Sequence, residues 1–332
     1  MPKILETKSI WFNDVVLIAQ PGAVKSRKEI PKEISRIIVS PMNSIVGKTF
    51  AAKATSLGLS VTIPRYFGVE KELEIFNACE NKDNLYCSIG LNDIARIQAF
   101  SKAGCKNFLV DVASGYLPQI GDTVKMLHDN TYLTSLILGN VHTYTGAKNL
   151  NDIVRAYNKF SYIKLILRCG IGNGIICQSS DQTGYNRGQL TEILECAEIN
   201  NVNNNTFIAS DGGLKNGGYI SKAFLAGSQY VFVGSIFSKA LEAETHLHGD
   251  GTYWGLASDK NQIVSTGVKS RHSEGKVTTV NKEELQPLND IVEELWGAIS
   301  SAVSYSGHSS LTSAIGQGVF EIKHNSLPPK NR

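Results

Sequence analysis

Long hydrophobic runs are missing from this sequence: nowhere do about eighteen apolar residues follow one another, the length a membrane-crossing helix needs. The opening residues, MPKILETKSIWF, lack the basic region and apolar stretch of a secretory leader. None of the six cysteines (Cys79, Cys87, Cys105, Cys169, Cys177 and Cys196) forms a CxxC pair. In a chain this large, that pattern argues for reduced thiols in a cytoplasmic protein rather than a disulfide framework. Basic charge is neither abundant nor clustered. With 33 Lys and Arg against 30 Asp and Glu, the net charge is +3, and no stripe reads as a groove-tracking patch. Nucleic acid is therefore not an expected partner, and neither is a membrane. Solenoid repeats are absent, and low complexity is confined to the short turn NNVNNN.

What the 332 residues do contain is an ordinary globular composition, 42% hydrophobic and 19% charged. Eight short, almost continuously apolar runs recur at 37–40, 59–63, 86–89, 108–111, 136–139, 163–167, 207–210 and 230–233. Such runs suit parallel strands buried on both faces. Helical spacing fills intervening segments at 93–103, 119–128, 150–160, 189–200 and 219–226, and a closing helix is predicted over 290–303. Eight βα units favour an α/β fold of the closed (β/α)8 TIM-barrel type over an open doubly wound sheet. Two stretches break the rhythm, 169–188 and the Gly-, Ser- and Thr-rich 246–286. Both exceed the roughly 2–6 residues of a common βα loop, which marks them as active-site or lid elements of a single catalytic domain.

In such a barrel the site lies at the carboxyl ends of the strands. Those ends offer Pro41-Met42-Asn43, Arg65, Asp111, Asn140, the long loop with Cys177, Asp211-Gly212-Gly213 and Gly234-Ser235. Barrels often bind phosphate with the loops after strands 7 and 8, where glycine lets backbone N–H groups approach an anion. Gly213, Gly234 and Ser235 are thus phosphate candidates, with Asp211 available for a ribose diol. In the loop GIGNGIICQSS, glycines stand at alternate positions 170, 172 and 174. Their carbonyls suit a monovalent cation, and Cys177 at the loop's end is flanked by backbone donors that lower a thiol pKa. As a thiolate it would attack an electrophilic ring carbon. The other five cysteines read as buried structural thiols, Glu274 in RHSEGK as a surface charge on its own context, and His246 and His248 as surface histidines.

These segments together resemble the GMP reductase family, in the superfamily that also holds IMP dehydrogenase. The similarity runs nearly end to end: DVVLIAQPGAVKSRKEIP, DVASGY, GNVHTYTGA, the cysteine loop, SDGG, FVGS, YWGLAS and RHSEGK all have counterparts. The resemblance favours the reductase branch. Only one helix fits between strands 2 and 3, where the dehydrogenase usually carries a CBS insertion. The dehydrogenase flap's Arg-Tyr pair is also absent between Ser258 and Arg271.

The resemblance implies that Cys177 attacks C2 of GMP, and that ammonia leaves a covalent thioimidate. NADPH then delivers hydride to C2 and IMP is released. Ser179, in the place of the family's threonine, and Glu274 would move the proton. The nucleotide side would be Asp211, Gly212, Gly213, Gly234, Ser235, Gly255, Leu256, Ala257, Arg271, His272, Ser273 and Gly275. The cofactor side would be Arg65, Asp111, Val112, Ala113, Gly170, Ile171, Gly172 and Ser270. Ser26 and Arg27, with Ser301, Ala302, Val303 and Ser304, would reach a neighbouring subunit's cofactor in a homotetramer. A potassium-type cation would be ringed by Gly172, Gly174 and Cys177.

The sequence also departs from the family. Asn173 stands where the family has proline, and QSS follows Cys177 where it has TTR, so Ser180 replaces an arginine. Ser235 replaces a glycine and Ala257 a serine. The alternatives left open are IMP oxidation with NAD, a deoxy or modified purine nucleotide as substrate, and nucleotide binding without turnover.

Overall fold

Eight parallel strands close on themselves in a computed structural model that describes residues 8–174, 178–255, 257–266 and 275–323. They are β1 (Ile37–Val39), β2 (Ser60–Ile63), β3 (Leu85–Ile89), β4 (Asn107–Val110), β5 (Ser135–Val141), β6 (Lys164–Cys169), β7 (Thr206–Asp211) and β8 (Tyr230–Val233). The ring is sealed by β1 against β8, with Ile37 opposite Val231 and Val39 opposite Val233. The TIM barrel expected from the eight apolar runs is present.

Why apolar runs make this barrel is visible in the side-chain alternation. Along a strand, successive side chains point to opposite faces. Ile38, Tyr86, Leu109, Ile137, Ile166, Ala209 and Phe232 turn inward and form one buried cluster inside the ring. Their neighbours, such as Val39, Cys87, Val110, Leu138, Leu167 and Val233, turn outward into the larger core. That core is shared with α1 (Lys48–Ser56), α2 (Val69–Ala78), α3 (Ile94–Lys102), α4 (Ile120–Asn130), α5 (Tyr144–Arg155), α6 (Gln189–Cys196), α7 (Gly217–Leu225) and α8 (Leu288–Tyr305). Only α2 joins β2 to β3.

Helix boundaries differ from the expectations in two places. The helix predicted over 150–160 begins earlier, at Tyr144, because the Thr143 hydroxyl accepts from the Gly146 N–H and caps it. It stops at Arg155, and the rest of the predicted segment is a separate 3-10 turn. The helix predicted over 189–200 is α-helical only to Cys196 and then tightens into a 3-10 turn. The described parts of 246–286 hold more regular structure than their weak periodicity suggested. Thr252–Trp254 pairs antiparallel with Val277–Thr279, because Tyr253 and Trp254 bury their rings beside the barrel.

A strand near the start of the described chain pairs with one near its end. Val15–Leu17 pairs antiparallel with Phe320–Ile322, and the Lys323 N–H donates to the Asp14 carbonyl at 2.7 Å.

Candidate active site

The carboxyl ends of the strands surround a cavity of about 1020 Å3. Its floor is charged. Arg168, the penultimate residue of β6, reaches Asp111 beyond β4 and Asp211 at the end of β7. Nη1 lies 3.2 Å from Asp111 Oδ1, while Nη2 and Nε lie 2.8 and 3.1 Å from Asp211 Oδ2. Burial alone would lower the Arg168 pKa, but the two carboxylates outweigh it and hold the pKa above its ordinary value. A buried cation persists only with such partners, and here one guanidinium serves two carboxylates. Arg65 supplies the second positive charge, 3.7 Å from Asp111.

Asn140 ties this floor to the cysteine loop. Its Nδ2 donates to Asp211 Oδ2 at 2.7 Å and to the Gly170 carbonyl at 2.6 Å. Asp211 was expected to take a ribose diol. Its Oδ2 is occupied by three donors, whereas Oδ1 has no hydrogen bond among the described residues.

The loops after β6 and β7 pack backbone against backbone, and glycine makes that possible. Gly170 has φ +135°, and a Cβ there would sit 2.2 Å from the Asp211 carbonyl oxygen. Gly212, with φ +83°, leaves only 2.8 Å to the Gly174 nitrogen. Helix α6 locks the two loops from behind. The Gln189 amide donates to the Gly212 carbonyl, and Glu192 accepts from Asn173 Nδ2 at 2.7 Å.

Most expected residues line the one cavity. Arg65, Asp111, Val112, Ala113, Gly170, Ile171, Gly172 and Gly174 do so from one side, and Asp211, Gly212, Gly213, Gly234, Ser235, Gly255, Ala257 and Gly275 from the other. Pro41 and Met42 join them, but Asn43 does not: it is 3% exposed, buried beneath the mouth. Cys177, Leu256, Ser270, Arg271, His272, Ser273 and Glu274 lie outside the described residues, as does the side chain of Ser179. Ser26 and Arg27 stand apart from the cavity lining, as do Ser301, Ala302, Val303 and Ser304. Arg27 Nη1 donates to Ser301 Oγ at 2.8 Å, which joins the exposed 26–27 segment to the partly buried start of the second, whereas Val303 is buried in the core and presents no side chain to a neighbour. Of the three positions expected around a cation, Gly172 and Gly174 are described and Cys177 is not.

The five remaining cysteines are buried. Burial pushes the Cys87 thiol well up, and the Cys196 thiol together with burial does the same to Cys169. His248 is exposed, but His246 is half-buried, its Nε2 2.7 Å from the Ser238 carbonyl.

Sequence reasoning missed Arg168, which directly follows the run at 163–167, and the aromatic rim of Tyr116, His142 and Tyr185. The Tyr116 and His142 rings meet at a tilt of 43° with centroids 5.6 Å apart, and Tyr185 is 66% exposed. Burial, then the nearby Arg187, lower the His142 pKa, which keeps that ring neutral and suited to planar ligands. A basic residue one position before the end of a barrel strand was the available signal for Arg168.

Comparison with known proteins agrees with this architecture. A family model for the IMP dehydrogenase / GMP reductase domain matches residues 12–325. The GMP reductase of Onchocerca volvulus is 26% identical over 94% of this chain and 90% of its own length. Human GMP reductase 1 is 25% identical over 94% of each chain. An inosine-5'-monophosphate dehydrogenase of Chlorobaculum parvum is 29% identical over 72% of this chain and 50% of its own. Among solved structures, the inosine 5' monophosphate dehydrogenase of Legionella pneumophila superposes with a TM-score of 0.77 at 24% identity, covering 96% of this chain and 99% of that one. The chain belongs to the IMP dehydrogenase / GMP reductase family.

Proposed function

We propose that this protein is an NADPH-dependent reductase that converts GMP to IMP and ammonia. The observation that carries the reading is the shared cavity of about 1020 Å3. In it the residues expected for a nucleotide and those expected for a dinucleotide face each other across the glycine loop that leads to Cys177. The backbone N–H groups of Gly213, Gly234 and Ser235 suit the 5'-phosphate, and Asp211 Oδ1 suits a ribose hydroxyl. Tyr116, His142 and Tyr185 suit a nicotinamide ring, and Arg65 suits the cofactor's phosphates.

In the proposed chemistry the Cys177 thiolate bonds to C2 of the purine while the C2=N3 π pair moves onto N3. The C2–N bond then breaks, and the amine leaves as ammonia with a proton passed through Ser179 and Glu274. Bound NADPH supplies the hydride for C2. The C–S bond then breaks, its electron pair returns to sulfur, and IMP is free. Two moderate barriers replace one high one. The Arg27–Ser301 contact, outside the lining of its own cavity, supports a homotetramer in which it serves a neighbour's cofactor.

The test is direct. Incubation with GMP and NADPH is expected to consume the reduced nicotinamide signal, and Cys177→Ala to lower that rate by about 10³-fold or more while GMP still binds. NADH formation from IMP and NAD would instead make the chain a dehydrogenase. Nucleotide binding with neither change would make it a binding protein.

A further inference from the structure

Proline fixes φ and stiffens a loop. Asn173, standing where the family has proline, gives up that restraint. Its side chain reaches helix α6 instead, where Nδ2 donates to Oε2 of Glu192 at 2.7 Å. Glu192 is 0% exposed. Each of these groups keeps one buried oxygen without a hydrogen-bond partner, Oδ1 of Asn173 and Oε1 of Glu192. Two orphaned acceptors on an already linked amide and carboxyl are satisfied by a single proton. With that proton the acid O–H would donate to the amide oxygen, beside the observed donation of the amide N–H to the acid's other oxygen. Burial pushes the Glu192 carboxyl up to about 8, against the Asn173 amide, Arg187 and the Ile171 N–H, which pull it down, and with Asp211, which pushes it up. Arg187 is drawn off by Glu195, 2.6 Å away, and the other titratable groups facing Glu192 are the Cys169 and Cys196 thiols.

We propose that Glu192, joined to Asn173 as a neutral acid–amide pair, is a positioning residue that fixes the cysteine loop where the family uses proline. Asn173 can transmit that restraint in two directions. Cys177 lies four residues ahead. Behind it, a Cβ at Gly212 would come within 2.9 Å of the Asn173 carbonyl carbon, and one at Gly213 within 3.0 Å of its oxygen. A displaced Asn173 therefore disturbs the nucleophile loop and the phosphate loop together.

The test uses the full chain and two readouts, the iodoacetamide alkylation rate of Cys177 (Cys177→Ala as blank) and steady-state kinetics. Glu192→Ala and Asn173→Ala are each expected to change the alkylation rate and lower kcat by about tenfold or more, with KM within about threefold. The double variant should be no worse than either single one, since the two residues form one unit. Glu192→Gln, which pairs with an amide in the same way, should stay within about threefold of the parent. Asn173→Pro placed in the Glu192→Ala chain should recover activity.

A pH readout separates the neutral pair from mere packing. A carboxyl whose folded pKa is raised from 4.5 to about 8 stabilises the fold fully below 4.5 and loses that contribution as pH rises through 8. The parent's Tm should therefore fall over that window relative to Glu192→Gln. Additive single effects, a Gln variant as impaired as Ala, or unchanged alkylation and kcat in Glu192→Ala would overturn the proposal. If alkylation responds as described but even the parent leaves GMP unreduced, the brace stands and the reductase reading fails.

Discussion

The two sides of the cavity are built by opposite means. At the ends of β4 to β7, side chains do the holding: Arg168 is clamped between Asp111 and Asp211, and Asn140 bridges to Gly170. Beyond β7 and at the end of β8, the lining is backbone: Gly212, Gly213, Gly234 and Ser235, with Leu214 and Ala257. The first side fixes charge in place before any ligand arrives. The second leaves room for an anion to approach N–H groups. Substitutions should accordingly act on folding through the first side and on phosphate affinity through the second.

The largest effect expected is on the charged side. Arg168→Met strands two carboxylates and should cost about 3–5 kcal/mol in urea unfolding, whereas Arg168→Lys should cost less because charge remains without the forked geometry. A stable Arg168→Met protein would break the contrast. Next comes the seam between the two sides. Gly170→Ala places a Cβ 2.2 Å from the Asp211 carbonyl oxygen at φ +135°, for roughly 1–3 kcal/mol of strain and a large loss of GMP affinity by calorimetry. Arg65→Ala should raise the cofactor's KM by about tenfold and leave the nucleotide's nearly unchanged, one charge-assisted contact being lost. Smallest is Ser235→Gly, which should shift stability by less than about 0.5 kcal/mol and alter only phosphate-dependent binding.

The barrel was legible because its signal is local. Each strand's apolar run is complete within four or five residues, and the polar residue after it marks the mouth. Arg65, Asp111, Asn140 and Asp211 were therefore found from strand ends alone and line the cavity. Arg168 directly follows the run at 163–167 too, but the conspicuous cysteine loop beyond it masks the signal until its two distant partners are known. The same limit hid the Asn173–Glu192 contact. Nineteen residues apart, they meet only once the loop folds back on helix α6. Asn43 went the other way: a polar residue at a strand end turned inward, since local pattern does not reveal which side of a turn faces the opening.

The short ribbon of Val15–Leu17 with Phe320–Ile322 makes the order of the βα units a historical matter more than a mechanical one. A linker that bridges the chain's two ends past this ribbon would leave it intact, with new ends opened at the exposed Asn204 turn between α6 and β7. A closed ring of strands has no first member. Such a permuted gene should still yield a barrel, provided the cut spares the glycine loops.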